Sequence, residues 1–152
     1  MKLFSFLTGG TALALALTAA AQAQDTATTS EPPADESAAM SVELNKAEQI
    51  ERGCQYFLLL RNTTDYDFQT FRLDFYFFDT EGVIAKRLLV DTPPVKPGDT
   101  RVAGFVASDL QCDSVSQILV NGVEPCEVAG GAAPDCYGLL ALGNRTDIEF
   151  FK

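Results

Sequence analysis

The 152-residue chain contains no histidine and no tryptophan, and its 11 basic residues face 21 acidic ones for a net charge of −10. Each shortage removes a class of chemistry. Without histidine no Ser–His or Cys–His nucleophile can be assembled, and the commonest acid–base group near neutral pH is missing. The four cysteines include no C-x-x-C pair, so the usual zinc and thioredoxin patterns are absent as well. Gly98 and Gly130-Gly131 stand apart from any strand–loop–helix context that would cradle a phosphate. So acidic a chain repels phosphate backbones and anionic lipid, which argues against nucleic-acid and membrane-surface partners. No cofactor and no metal is expected, and the chain reads as a non-enzyme.

What is present begins with an export signal. Lys2 precedes an apolar run, Thr11 to Ala21, and Ala21-Gln22-Ala23 offers a small-x-small cleavage site, so residues 1–23 read as a cleavable Sec-type signal peptide. The run is shorter than the ~20 residues a membrane span needs. Residues 24–41 are rich in Ala, Thr, Ser, Glu and Pro. They lack the apolar surface to offset ordering entropy and read as a disordered leader. The remaining residues, 42–152, are sized for one domain with one core.

Nine of the fifteen aromatic residues fall between Cys54 and Asp79. Phe71, Leu73, Phe75 and Phe77 alternate with Arg72, Asp74, Tyr76 and Phe78, the period of a strand with one buried face. Residues 54–62 are apolar on both faces, which predicts a central strand. Asn62 to Asp65 is a turn, and Asp79-Thr80-Glu81-Gly82 predicts a tight hairpin with glycine at positive φ. Further strands are expected at 83–90, 100–107, 116–123, 137–142 and 148–151, punctuated by Pro93-Pro94, Pro97-Gly98 and Gly130-Gly131. Residues 41–52 fit a short strand followed by a turn as well as they fit a helix, and 108–110 fits one helical turn. The expected class is all-β: a single antiparallel β-sandwich of about seven strands.

Four cysteines in an exported chain imply two disulfides, with three connectivities available. Up-and-down strand order selects among them. Cys54 starts its strand at one end of the sandwich, and the chain returns to that end before Cys112. The next strand carries Cys126, and with it Cys136, to the other end. The predicted bridges are Cys54–Cys112 and Cys126–Cys136.

Candidate sites are few. Asp65 with Asp67, and Asp79 with Glu81, are the nearest to a carboxylate pair of the glycosidase kind, although turn formation accounts for both. Asp79-x-Glu81-Gly82 has too few acidic positions for the calcium loop pattern. Asn62-Thr63-Thr64 and Asn144-Arg145-Thr146 fit the glycosylation sequon. Phe57, Tyr76 and Phe78 fall on the face expected to be solvated, where they would form an aromatic patch for a partner unless the N-terminal segment or Phe150-Phe151 covers them. The segment 91–99, with three prolines, is the best candidate for a protruding inhibitory loop.

Residues 54–106 resemble the FxLYD-type modules of bacterial exported proteins. Asn62-Thr63, the run Phe75-Tyr76-Phe77-Phe78-Asp79, Gly82 and Pro97-Gly98 occupy that pattern, with Phe77 in place of its Leu and Phe78 in place of its Tyr. The whole chain is similar to a group of exported alphaproteobacterial proteins that share the runs found here at 78–82, 120–126 and 145–150. The resemblance implies an Ig-like sandwich and a periplasmic location, and it transfers no catalytic residue. The expected role is a non-catalytic binding or accessory module whose partner is another envelope protein. An inhibitor of a periplasmic enzyme and a carboxylate-dependent hydrolase of cell-wall carbohydrate are the alternatives.

Overall fold

The computed structural model describes residues 39–152, so the signal peptide and most of the leader lie outside the described residues. Eight strands follow in chain order: β1 (Met40–Ile50), β2 (Gly53–Asn62), β3 (Phe68–Asp79), β4 (Ile84–Asp91), β5 (Thr100–Ser108), β6 (Val115–Val128), β7 (Leu140–Asn144) and β8 (Glu149–Phe151). They form two four-stranded sheets, β5-β2-β1-β7 and β4-β3-β6-β8, in a sandwich with no α-helix among the described residues. The helical turn expected at 108–110 is not formed, since Ser108 ends β5; a 3-10 turn lies just beyond it, at Cys112–Ser114.

Three expectations are corrected. The segment 41–52 is a strand followed by a turn at Glu51-Arg52, not a helix, but the strand is eleven residues long instead of short and begins at Met40. Met40 is fully buried, so the folded domain starts before the predicted boundary at 42. Alternating Met40, Val42 and Leu44 supply its inward face. The eight strands meet the expectation of about seven. The sheets are also mixed rather than antiparallel, because β1 pairs with β7 and β6 with β8 in parallel. Periodicity reports which face a residue occupies and carries no information about strand direction, so a parallel return was invisible to it.

The core lies between the sheets. Tyr56, Leu58 and Leu60 of β2 oppose Phe71, Leu73, Phe75 and Phe77 of β3, all of them buried. Phe75 sits 5.6 Å from Phe105 and 6.0 Å from Phe150 between ring centroids. As its two apolar faces suggested, β2 is central, between β1 and β5. The β1–β2 hairpin turns at Glu51-Arg52, and Gly53 adopts φ +139°. A Cβ there would strike the Ala107 carbonyl oxygen, so only glycine lets β5 close against β2. Gly82 has φ +78° in the β3–β4 turn, where the Asp79 carboxylate accepts from the backbone N–H groups of Glu81 and Val83, both at 2.9 Å.

Both disulfides form as predicted, Cys54–Cys112 and Cys126–Cys136. They place the chain in an oxidising, extracytoplasmic setting. No helix among the described residues is long and apolar enough to cross a membrane.

The two sequon segments share one local structure. Asn62 Oδ1 accepts from the Thr64 N–H and hydroxyl at 2.9 and 2.7 Å, and its Nδ2 donates to the carbonyls of Tyr66 and Val95. Asn144 Oδ1 accepts from the Thr146 N–H and hydroxyl, both at 2.9 Å, and its Nδ2 donates to the Ile148 carbonyl. Each Asn-x-Thr-Asp corner lies where the chain leaves the first sheet for the second, after β2 and after β7. The side-chain bonds satisfy backbone groups that neither sheet can pair there.

One core group stays unsatisfied. The Tyr56 hydroxyl is buried with no hydrogen-bond partner among the described residues, and burial pushes its pKa up to about 12. An unpaired buried hydroxyl costs about 1–3 kcal/mol. Tyr56→Phe is therefore expected to raise stability by about 1 kcal/mol, read as a higher urea midpoint; a lower one would show that the hydroxyl is paired in solution.

Candidate interaction surface

The predicted aromatic patch divides between two surfaces. Phe57 lies in β2, next to the inward-facing Tyr56, on the outer face of the first sheet; Tyr76 and Phe78 lie on the outer face of the second. The three are not one patch. Phe57 lies against Gly104, with the Lys46 ammonium 5.7 Å from its ring centroid. That leaves it half covered by its own sheet.

Tyr76 and Phe78 have company that sequence reasoning missed. Across the second sheet, Arg87 of β4 pairs with Tyr76, Tyr76 with Leu119 of β6, and Leu119 with Phe151 of β8. This row runs the full width of the sheet. Phe78 lies one step along, 6.4 Å from Phe151, so the C-terminal strand, expected as a cover for these rings, lies beside β6 in the same sheet and extends the apolar surface. Tyr76, Phe78, Leu119 and Phe151 are each half-buried, and Ile84 and Leu89 at the β4 edge are 56 % and 54 % exposed. Leu119 was legible in principle: it is the apolar residue between inward-facing Ile118 and Val120 and must point the other way.

A polar cluster stands at the head of the row. Arg87 grips Asp74 with two hydrogen bonds, Nε at 2.8 Å and Nη2 at 3.0 Å, and Asn121 Nδ2 donates to the same carboxylate at 2.9 Å. Asp74 is only 7 % exposed although it lies on the outer face, because these neighbours close over it. A register shift between β3 and β6 beside Asp74 is the kind of irregularity that re-aims a side chain. The Arg87 guanidinium holds the Asp74 carboxyl below the usual range, helped by Asn121 and opposed by burial. It also lies 5.4 Å from the Tyr76 ring centroid, a cation–π contact. Asp74, Arg87, Leu89, Asn121, Gly122, Val123 and Glu124 line an open cavity of about 450 Å³.

These bonds set a pH dependence. Asp74, and likewise Asp91 beside Arg72, have folded pKa values below their unfolded ones. Their contribution is present above the unfolded value of about 3.9 and lost as pH falls through the folded one. The urea midpoint is expected to hold between about pH 7 and 5 and to drop below about pH 4. In Asp74→Asn that drop is shallower; an unchanged acid limb would show that other carboxylates govern it.

The remaining candidates resolve into structure. Asp67 accepts from Gln69 and Asp79 caps its turn, and neither carboxylate pair lines a cavity described above. No cluster suited to a metal occurs among the described residues. The proline-rich segment 91–99 lies against the domain: Val95 is buried, and its N–H and carbonyl both bond to Phe68.

No protein-family model, no curated protein and no solved structure matches the chain.

Proposed function

We propose that the chain is a non-catalytic periplasmic binding module, exported through a cleaved signal peptide, that works through the outer face of its second sheet. The observation that carries this reading is the row Arg87–Tyr76–Leu119–Phe151, an apolar strip across a full sheet with a fixed polar cluster at its head. Interface centres are enriched in Tyr, Phe and Arg and depleted of unpaired charge. An apolar sheet face of this kind is seldom left open without a partner. The Ig-like, FxLYD-type character suggested by residues 54–106 fits a small exported adaptor whose partner is another envelope protein.

A photo-crosslinking residue placed at Leu119 in cells exporting the protein is expected to give a discrete product. The same residue at Val102, on the outer face of the first sheet and 62 % exposed, should give none. Equal labelling at both positions, or a product that survives Tyr76→Ser/Phe78→Ser, would overturn the assignment of this face. The inhibitor reading is weakened because 91–99 packs against Phe68 instead of protruding, and the hydrolase reading because Asp65, Asp67, Asp79 and Glu81 do not line the cavity at Asp74.

A further inference from the structure

We propose that Asn121 is a site of spontaneous covalent modification, its side-chain amide converting to a carboxylate without an enzyme and altering the polar cluster around Asp74. Of the chain's asparagines, Asn45, Asn62, Asn121 and Asn144, only Asn121 is followed by glycine. The reaction requires the backbone nitrogen of the next residue to reach the asparagine Cγ, and glycine has no Cβ in the way. A bond forms between the Gly122 nitrogen and Asn121 Cγ, closing a five-membered succinimide. The Cγ–Nδ2 bond breaks, and ammonia leaves with the proton of the Gly122 N–H. Water then opens the ring at either carbonyl to give aspartate or isoaspartate, and nothing is oxidised or reduced.

The fold leaves room for this reaction. Asn121-Gly122 lies where β6 slips against β3: Asp74 pairs with Gly122 and Phe75 with Val120, so Asn121 has no partner across the ladder. A bulge bends its strand away from the extended course that would hold the Gly122 nitrogen back from Cγ. Asn121 is exposed and Gly122 half-buried, and no atom lies within 4 Å of where a Gly122 Cβ would stand. The two corner asparagines are held instead. Asn62 and Asn144 each lock Oδ1 between the N–H and the hydroxyl of the threonine two residues on. Asn45 precedes Lys46, whose side chain crowds the approach.

The product acts on Asp74. Asn121 Nδ2 donates to Asp74 Oδ2 at 2.9 Å, and a carboxylate in its place removes that donor and sets a second negative charge beside a nearly buried one. The groups facing it are Asp74 and the Tyr76 ring on β3, Arg87 on β4 and Glu124 on β6, so one guanidinium then serves three carboxylates. Like charges so close favour the acid form of one of them, whose folded pKa rises above its unfolded value. Stability is then lost as pH rises through that folded value, the reverse of what Asp74 contributes beside an intact amide.

Exported protein aged in mildly alkaline buffer, then digested and mapped by mass spectrometry, should carry the amide-to-acid change at Asn121 and at no other asparagine. Gly122→Ala, whose added methyl meets open space, should abolish the change while keeping the urea midpoint. Asn121→Asp should lower the midpoint at about pH 7 and lose that difference below about pH 4, where the carboxyls are protonated. An Asn121 that stays intact in the folded protein would overturn the proposal, whether or not the unfolded chain reacts. Equal change at Asn45 or Asn144 would overturn it too, as would an undiminished rate in Gly122→Ala. A midpoint in Asn121→Asp equal to that of the unmodified protein at neutral pH would overturn the effect on Asp74.

Discussion

Replacing Cys54 and Cys112 together by alanine is expected to lower stability by about 4 kcal/mol, the largest effect of any change at the chain's four cysteines. Cross-linking limits the unfolded ensemble, and in the chain-entropy description the effect grows with the length of the closed loop. The Cys54–Cys112 bridge spans 58 positions and the Cys126–Cys136 bridge spans 10. The same relation gives about 3 kcal/mol for the shorter loop. Cys54 is also fully buried beside the Gly53 hairpin, so its loss removes packing as well as a constraint. Against a typical domain stability of about 5–15 kcal/mol, the long bridge is a large share. Guanidinium midpoints of the two double-alanine variants test the order, and an equal or larger loss at Cys126/Cys136 would contradict it.

Phe75→Ala is the second large effect, with about 3–5 kcal/mol expected for deleting a buried phenylalanine. Phe75 is fully buried, and its ring lies against Phe77, Phe105 and Phe150. These neighbours come from β3 itself, from β5 of the opposite sheet and from β8. Three separate elements would have to move to fill the void, so collapse is poor and the cost falls toward the upper part of the range. Far-UV circular dichroism in urea provides the readout, since the chain has no tryptophan. A loss below about 1.5 kcal/mol, the range of a tolerated volume-conserving swap, would show that the surrounding rings close over the gap.

The sandwich, its core ladder and both disulfides were legible in the sequence, and for identifiable reasons. A buried face imposes period 2, so Phe71, Leu73, Phe75 and Phe77 announced their orientation. Turn chemistry at Asp79–Gly82 fixed the reversal that let the cysteine ends be counted. Strand direction and sheet membership were not legible, because β7 and β8 are short and reach their partners across long sequence separations. The surface was read only in part. Tyr76 and Phe78 were correctly paired on one face. Phe57 was assigned to the same patch because parity places a residue outward without saying from which sheet. Arg87 and Asn121 escaped notice because nothing local to either marks it as a partner of Asp74, which reads as an ordinary solvated acid until β4 and β6 flank it.

The two Asn-x-Thr-Asp corners bear on how this protein can be produced. In a eukaryotic secretory pathway both would be offered to oligosaccharyltransferase before the chain has folded. At Asn144, which is exposed and donates a single bond from Nδ2, a glycan can replace the spare hydrogen and the corner still closes. At Asn62 both Nδ2 hydrogens are engaged and the side chain has no exposure, so a sugar there and a finished fold exclude each other. Material secreted by such a host should carry its glycan on Asn144 alone, with chains modified at Asn62 retained as misfolded. A bacterial host, which leaves both amides bare, suits this chain better.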